Sequence, residues 1–297
     1  MQRDPRFTRF QVWPLTGALG AEVSGIDLGK TSDAAVYQEM RRALDEHHVL
    51  AVRDQKLTPQ TLHEVARRFG PFSGNPVHSP MDGFDDIVRF VREPDDTGKV
   101  IGEEWHMDLA WMAKPPGITM LYGEVIPPVG GDTCFASLEH VYQALSPTMR
   151  QLLSGLTGIY SGKGVYAINA KHSRLGLRND ATTAEETEVE HPVICAHPAT
   201  GRPYVFAASV LQRFKGMSEA ESKPIIDFLM ATAIRPEFTC RVRWQTGTLT
   251  MWDNPVVLHT AIGDYPGHRR VTYRTTVEGW APRAASPEVP GATPRAA

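Results

Sequence analysis

The chain has 297 residues and a net charge of -3, from 31 Lys and Arg against 34 Asp and Glu. This balance excludes the basic surface of a nucleic-acid-binding protein, so we expect a small-molecule partner and no nucleic acid. The N-terminus has no apolar signal core and no run of about 18 apolar residues occurs, so we expect neither export nor a membrane span. Three widely spaced cysteines without a CxxC pair favour a reducing, cytoplasmic location.

The first third of the chain predicts helices with an interspersed strand. Residues 32–48 carry apolar side chains at the spacing of one helical face, with Ser32 as the candidate cap. The apolar run at 49–53 predicts a buried strand. A second helix is predicted over 58–70 with Thr58 as its cap.

From about residue 87 the pattern changes to short β-prone runs separated by Gly, Pro and Asp, which is typical of a β-sandwich or barrel. Helical patterns recur at 137–153 and again from Ser218 and Glu221, a capping-box pair, where Pro224 obscures the helix boundary.

We see no linker, and therefore predict one domain over 1–283, mainly β with flanking helices. The polar, poorly periodic stretch at 160–180 predicts a mobile loop over a site. The stretch at 284–297 predicts a disordered tail.

A candidate metal site begins in GEEWHMDLAWM, where His106 and Asp108 lie two residues apart among apolar neighbours. In an extended strand, residues i and i+2 share a face, so both side chains would reach one metal. His259 is a candidate third ligand, because distant strands return side by side in a closed β architecture. Two histidines and one carboxylate with open positions form the ligand set of non-haem Fe(II) oxygenases. Hydrogen-bonded core residues without a metal are the alternative.

Candidate anion-binding residues follow His259. Arg270, Thr272 and Arg274 alternate along an apparent strand, so both guanidinium groups would lie on one face. Like charges inside a barrel need an anion, and Arg suits a carboxylate. A solvated strand face is the alternative. In PPVGGDTCF a glycine turn precedes Thr133, whose hydroxyl would be available to a ligand, and a plain loop is the alternative there.

These motifs resemble the taurine and aryloxyalkanoate dioxygenases, a family of Fe(II)/2-oxoglutarate-dependent oxygenases. The resemblance lies in WHMD, GGDT, and WDN followed by His259, with arginines eleven and fifteen residues later, and it spans nearly the whole chain. It implies a double-stranded β-helix, or jelly-roll, core flanked by helices, and a homo-oligomer.

The same resemblance implies a role for each site residue. His106, Asp108 and His259 bind Fe(II), while Arg270 binds the distal carboxylate of 2-oxoglutarate and Thr133 assists it. No catalytic residue beyond the metal ligands is expected. The implied reaction uses O2 to oxidise a substrate C–H bond, for example by hydroxylation, and releases succinate and CO2.

The resemblance also bears on the substrate. Arg274 stands where relatives contact an anionic group, and Asn75, His78 and Gly102 stand at other substrate positions, where they differ from the taurine enzymes. Taurine is therefore disfavoured. Small residues, including Ala207, suggest a larger, more apolar pocket. We expect an apolar organic acid, either an aryloxyalkanoate in xenobiotic catabolism or a natural-product acid in secondary metabolism.

Two other classes remain open. A zinc hydrolase would use the same three ligands and a metal-bound water as nucleophile, but it would leave Arg270 and Arg274 without a purpose. A non-catalytic binding barrel would need no open metal position, and it is disfavoured because all three ligands are present.

Overall fold

The computed structural model of the protein describes residues 2–163 and 188–286. The predicted loop at 160–180 lies outside the described residues beyond its first four positions, as does most of the predicted tail. Within the described part, Ala284 forms a β-bridge with Cys195, and the Ala285 N–H donates to the Ile194 carbonyl at 3.1 Å. Residues 284 and 285 thus contact residues 194 and 195, and the division of the chain into one domain and a tail stays a prediction.

Five α-helices occur in the described residues: α1 Ala34–His47, α2 Pro59–Arg67, α3 Leu138–Ala144, α4 Pro147–Ser154 and α5 Glu219–Ala233. The cap predicted for α1 is wrong by one residue, because the Asp33 carboxylate accepts from the Ala35 N–H at 2.9 Å. Thr58 caps α2 as predicted.

The predicted helical stretch at 137–153 forms two helices, α3 and α4. Pro147 has no N–H to continue a helix and takes the first position of α4, where Ser146 is the cap. The Ser218 and Glu221 capping box begins α5 as predicted, and Pro224 lies inside that helix.

Fifteen strands occur in the described residues: β1 Gln11–Pro14, β2 Ala21–Ser24, β3 Val49–Val52, β4 Val88–Arg92, β5 Ile118–Val125, β6 Thr133–Ser137, β7 Thr157–Ser161, β8 Glu188–Pro192, β9 Ile194–Ala196, β10 Pro203–Val205, β11 Leu211–Phe214, β12 Thr239–Val242, β13 Leu249–Asp253, β14 Val257–Ala261 and β15 Arg270–Val277. They form a seven-stranded sheet in the order β1-β2-β3-β13-β5-β15-β4 and a three-stranded sheet in the order β12-β6-β14. Smaller sheets are β11-β7-β8 and β10-β9. Strands β2 and β3 are parallel, and the other pairs are antiparallel.

The core lies on both faces of the large sheet. Strand β3 shows why its sequence is apolar throughout: Val49 and Ala51 join the cluster on one face, while Leu50 and Val52 join the cluster that packs against α1 and α2. The Phe135 ring on β6 packs edge-on against Trp252 on β13, with centroids 5.5 Å apart, and so connects the two sheets.

A mainly β fold with helices is confirmed, whereas the jelly-roll topology stays an expectation from the resemblance. Within 2–163 and 188–286, no helix combines the length and apolar character that crossing a membrane requires.

Candidate active site

The three predicted metal ligands meet between the two sheets. His259 lies in the middle of β14, and its backbone forms an isolated β-bridge with His106. The two backbone N–H···O distances of this bridge are 2.9 and 2.8 Å. The expected strand around His106 and Asp108 is wrong: beyond this bridge the segment forms turns, and Leu109 has a left-handed φ of 49°.

The donor atoms of the three side chains converge although that strand is absent. Asp108 Oδ1 lies 3.8 Å from His106 Nε2 and 3.7 Å from His259 Nε2. All three atoms lie within 4.8 Å of one another. Two nitrogens and one carboxylate oxygen in this arrangement fit a divalent iron.

The other carboxylate oxygen of Asp108 is held by the protein. Oδ2 accepts a hydrogen bond from the Thr119 hydroxyl at 2.8 Å and lies 2.9 Å from Arg274 Nη2. Burial disfavours the carboxylate, but the charge of the adjacent Arg274 and the hydrogen bond from Thr119 oppose this effect, and the pKa of Asp108 is lowered to about 2. Asp108 is therefore ionised at neutral pH, with Oδ1 left to bind a cation.

Both histidines can present a nitrogen lone pair to a metal ion. His106 Nδ1 lies 2.7 Å from the Glu104 carbonyl oxygen, and the tautomer that donates its Nδ1–H there presents the Nε2 lone pair on the side of Asp108. Burial, followed by the nearby His106, holds the pKa of His259 well below its ordinary value, so its ring is neutral at neutral pH.

A first cavity, of about 340 Å³, opens beside the three ligands. The predicted set Arg270, Thr272 and Arg274 lines it from β15, which confirms that these side chains share a face. Thr133 lines it from the start of β6 as predicted, and its oxygen accepts the Trp244 indole N–H at 3.0 Å.

Arg270 is a half-buried cation, and no carboxylate among the described residues lies at ion-pair distance from it. Its guanidinium lies against two aromatic rings, with its carbon 5.4 Å from the Trp244 centroid and 5.9 Å from the Tyr265 centroid. Burial lowers the pKa of this group, and Nε makes no hydrogen bond within the described part of the chain. A half-buried cation of this kind is stabilised by an anionic ligand.

A second cavity, of about 310 Å³, shares a wall with the first. Asn75, His78, Gly102 and Arg274, the four predicted substrate residues, all line it. The Asn75 side-chain oxygen accepts the N–H groups of Val77 and His78, at 2.9 and 3.0 Å, and so shapes this wall. Burial, followed by Arg274, lowers the pKa of His78 to about 4.

The second cavity combines apolar and polar surfaces. Trp111, with Met107, Leu109, Val77 and Val210, forms apolar wall, while Lys163, Ser161 and Gln212 are polar. Ala207 does not widen this pocket as expected, because it is a core residue that lines neither cavity.

Two residues that hold Asp108 are absent from the predicted site. Thr119 bonds its carboxylate, and the side chain of Asn254 bonds its backbone across 146 positions of sequence. The WDN motif contains Asn254 and is a sequence signal for it. Thr119 has no such signal, because its only marker is a place in an ordinary β-prone run.

Comparison with known proteins finds relatives over most of the chain. An alkylsulfatase from Acinetobacter baylyi is 32% identical over 274 residues, which cover 91% of this chain and 86% of that protein. An alpha-ketoglutarate-dependent sulfate ester dioxygenase from Pseudomonas putida is 30% identical over 281 residues, 94% of this chain and 92% of that one. A crystal structure of a taurine dioxygenase from Burkholderia xenovorans matches with a TM-score of 0.78 and 29% identity, and covers 93% of both chains.

The site and these similarities define an oxidoreductase of the alpha-ketoglutarate-dependent dioxygenase class, alpha-ketoglutarate being 2-oxoglutarate. The model of the taurine catabolism dioxygenase TauD, TfdA family matches residues 11–276, and the chain belongs to this family.

Proposed function

We propose that the protein is an Fe(II)- and 2-oxoglutarate-dependent dioxygenase that oxidises a C–H bond of an anionic, largely apolar organic compound. One observation carries the proposal: the convergent His106, Asp108 and His259 donors line the same cavity as Arg270, a half-buried cation with no carboxylate at ion-pair distance among the described residues. A zinc hydrolase needs the three donors but gives no role to Arg270.

Different residues would bind the metal and the cosubstrate. His106, Asp108 and His259 would hold the iron, and Arg270, with the Thr133 hydroxyl nearby, would bind the distal carboxylate of 2-oxoglutarate. Bound there, iron and 2-oxoglutarate supply the oxidising chemistry, in which O2 gives one oxygen atom to the substrate and one to succinate, with loss of CO2.

Arg270 is suited to this role by its surroundings. Trp244 and Tyr265 both lie against its guanidinium and restrict it, so less side-chain entropy is lost when a carboxylate binds. Because the group is half-buried, water competes less for its hydrogen bonds than at the surface, and the interaction with the carboxylate is stronger there.

The second cavity supports the substrate class. Its lining carries both charges, with Lys99 and Lys163 opposite in sign to Glu103 and Glu104. Arg274 lines both cavities beside the metal ligands, and an anionic group of the substrate would be bound there. The wall formed by Trp111 and its apolar neighbours suits a hydrocarbon or aromatic body. Aryloxyalkanoates and natural-product acids have this form, and the names of the relatives add alkyl sulfate esters to the class.

Product analysis tests this function. The protein is supplied with Fe(II), ascorbate, 2-oxoglutarate and O2, and succinate is measured with octyl sulfate, a 2-aryloxypropionate, a terpenoid carboxylic acid or taurine. We expect at least one of the apolar anions, and not taurine, to stimulate succinate formation in step with its own oxidation. Asp108→Ala should abolish the reaction. Product release that requires Zn(II) but consumes no 2-oxoglutarate would instead support the hydrolase.

A further inference from the structure

The position of Asp108 is not explained by secondary structure. Its segment forms turns, and the next residue, Leu109, has a left-handed backbone. No strand satisfies the Asp108 peptide groups, although the residue is buried and buried peptide groups need partners. A metal ligand placed in this way depends on some other contact to fix it.

The side chain of Asn254 provides that contact. Its Oδ1 accepts the Asp108 N–H at 2.9 Å, and its Nδ2 donates to the Asp108 carbonyl at 3.0 Å. The same Nδ2 donates to the Pro116 carbonyl at 3.0 Å, so both of its hydrogens are used. Asn254 is fully buried and thus binds Asp108 as the peptide group of a neighbouring strand would.

Asn254 is itself held by regular structure. It directly follows β13, which pairs with β5, and its own N–H donates to the Gly117 carbonyl at 2.9 Å. It also begins a short 3-10 helix, Asn254–Val256, that leads into β14 and His259. The side chain therefore connects the segment that carries one metal ligand to the segment that carries another.

We propose that Asn254 is a positioning residue for the metal centre: its amide fixes the Asp108 backbone relative to His259 and thereby sets the metal affinity of the site. The inference rests on the proposed function, because it assumes that these side chains bind a metal. Thr119 complements Asn254, since it orients the Asp108 carboxylate while Asn254 places the main chain.

The chemistry requires an amide at this position. An aspartate would keep an acceptor for the Asp108 N–H but would place oxygen against the carbonyls of Asp108 and Pro116. An alanine would leave three buried peptide groups without partners. In either variant the turn at Asp108 would have other conformations available, and fewer of them would place Oδ1 beside the histidines.

Metal titration of the full-length apo-protein tests the proposal. Mn(II) affinity is measured by the EPR signal of free Mn(II), and the visible spectrum of bound Co(II) reports the coordination geometry. We expect Asn254→Ala to weaken Mn(II) binding by about tenfold to hundredfold, the usual effect of removing an outer-shell partner, and to change the Co(II) spectrum. Thr250→Val is the control: this buried hydroxyl lies on β13, and no hydrogen bond is found for it within 2–163 and 188–286.

The outcomes separate the two proposals. If the wild-type protein binds no Mn(II), the proposed function fails. If wild type binds and a folded Asn254→Ala variant has unchanged affinity and Co(II) spectrum, the positioning role is contradicted. The role is also contradicted if Thr250→Val weakens binding equally.

If Asn254→Ala does not fold, two other measurements test the positioning role. Asn254→Asp retains one hydrogen bond and is titrated in the same way, with weaker binding expected. In the wild-type apo-protein, the exchange rate of the Asp108 amide is measured by NMR without any substitution. We expect strong protection although Asp108 lies outside any strand, and exchange as fast as in an exposed turn would overturn the inference.

Discussion

The half-buried Arg274 and the buried Asp108 form an ion pair, with Arg274 Nη2 2.9 Å from Asp108 Oδ2. Oδ1, the other oxygen of this carboxylate, is the one that lies near the two histidines. Because Arg274 lines both cavities, one guanidinium contacts a candidate metal ligand and faces the space proposed for the substrate.

Replacing Arg274 should impair use of the organic substrate. We expect Arg274→Gln to lower kcat/KM for the anionic substrate by about tenfold to hundredfold, because a hydrogen bond to a charged group contributes about 1.5–3 kcal/mol. Arg274→Lys keeps the charge and should recover part of the loss. Steady-state kinetics at saturating 2-oxoglutarate measure the effect, and an unchanged kcat/KM in Arg274→Gln would remove this residue from the substrate site.

Replacing Arg270 should act on the cosubstrate instead. Arg270→Ala should raise KM for 2-oxoglutarate by at least about tenfold, since truncating one partner of a buried charge pair costs about 2–5 kcal/mol. Arg269→Ala is the matched control, because the neighbouring side chain is 45% exposed and pairs with Glu93. If both variants kept the wild-type KM, another group would have to bind the carboxylate.

Substitution of Gly102 should affect both folding stability and metal binding. It has a φ of 80°, and an added Cβ would lie 3.0 Å from His106 Cε1. Gly102→Ala should cost about 1 kcal/mol or more of folding stability through the backbone and should also weaken metal binding by displacing the His106 ring.

Gly83→Ala separates these two effects. Gly83 has a φ of 84°, and an added Cβ would meet nothing within 4 Å. We expect a similar loss in thermal stability but no change in Mn(II) affinity. Equal metal affinity in the two variants would contradict the predicted contact with His106.

His78 should make the stability of the metal-free protein depend on pH. Burial lowers its pKa to about 4, so below about pH 6.5 the unfolded chain takes up a proton while the folded protein does not until about pH 4. The free energy of unfolding is therefore unaffected by titration of this group above pH 6.5. As the pH falls from 6.5 toward 4, the group lowers the free energy of unfolding by about 3 kcal/mol.

Urea unfolding at several pH values, with EDTA present, measures this contribution. We expect His78→Gln to have a shallower dependence of the unfolding free energy on pH between 4 and 6.5 than wild type. His268→Gln, at an exposed position, should keep the wild-type slope. An unchanged slope in His78→Gln would mean that His78 is not held neutral in the fold.

The sequence predicted those elements whose determinants are local. The caps at Thr58 and Ser218 lie within three residues of the groups they bond, so their signals are readable directly. The conformation around Asp108 could not be predicted in this way, because a turn held by Asn254 and a strand give the same H-x-D spacing.

The metal and cosubstrate residues were more predictable from the sequence than the shape of the substrate pocket. The metal and cosubstrate residues carry distinctive chemistry in ordered motifs, and the structure places them at one cavity. Residues such as Ala207 gave a wrong expectation, since a small side chain indicates pocket space only if it faces the pocket. The roles of the metal, cosubstrate and substrate residues stay predictions, as do the cytoplasmic location and the homo-oligomer.

Anaerobic titration of the apo-protein with Fe(II) and 2-oxoglutarate tests the central claim most directly. We predict a weak visible charge-transfer band when both are present, saturating at one equivalent of each and lost in Arg270→Ala at limiting 2-oxoglutarate. Absence of the band from folded, iron-loaded protein would contradict the account, and Arg270 would then need a different anion.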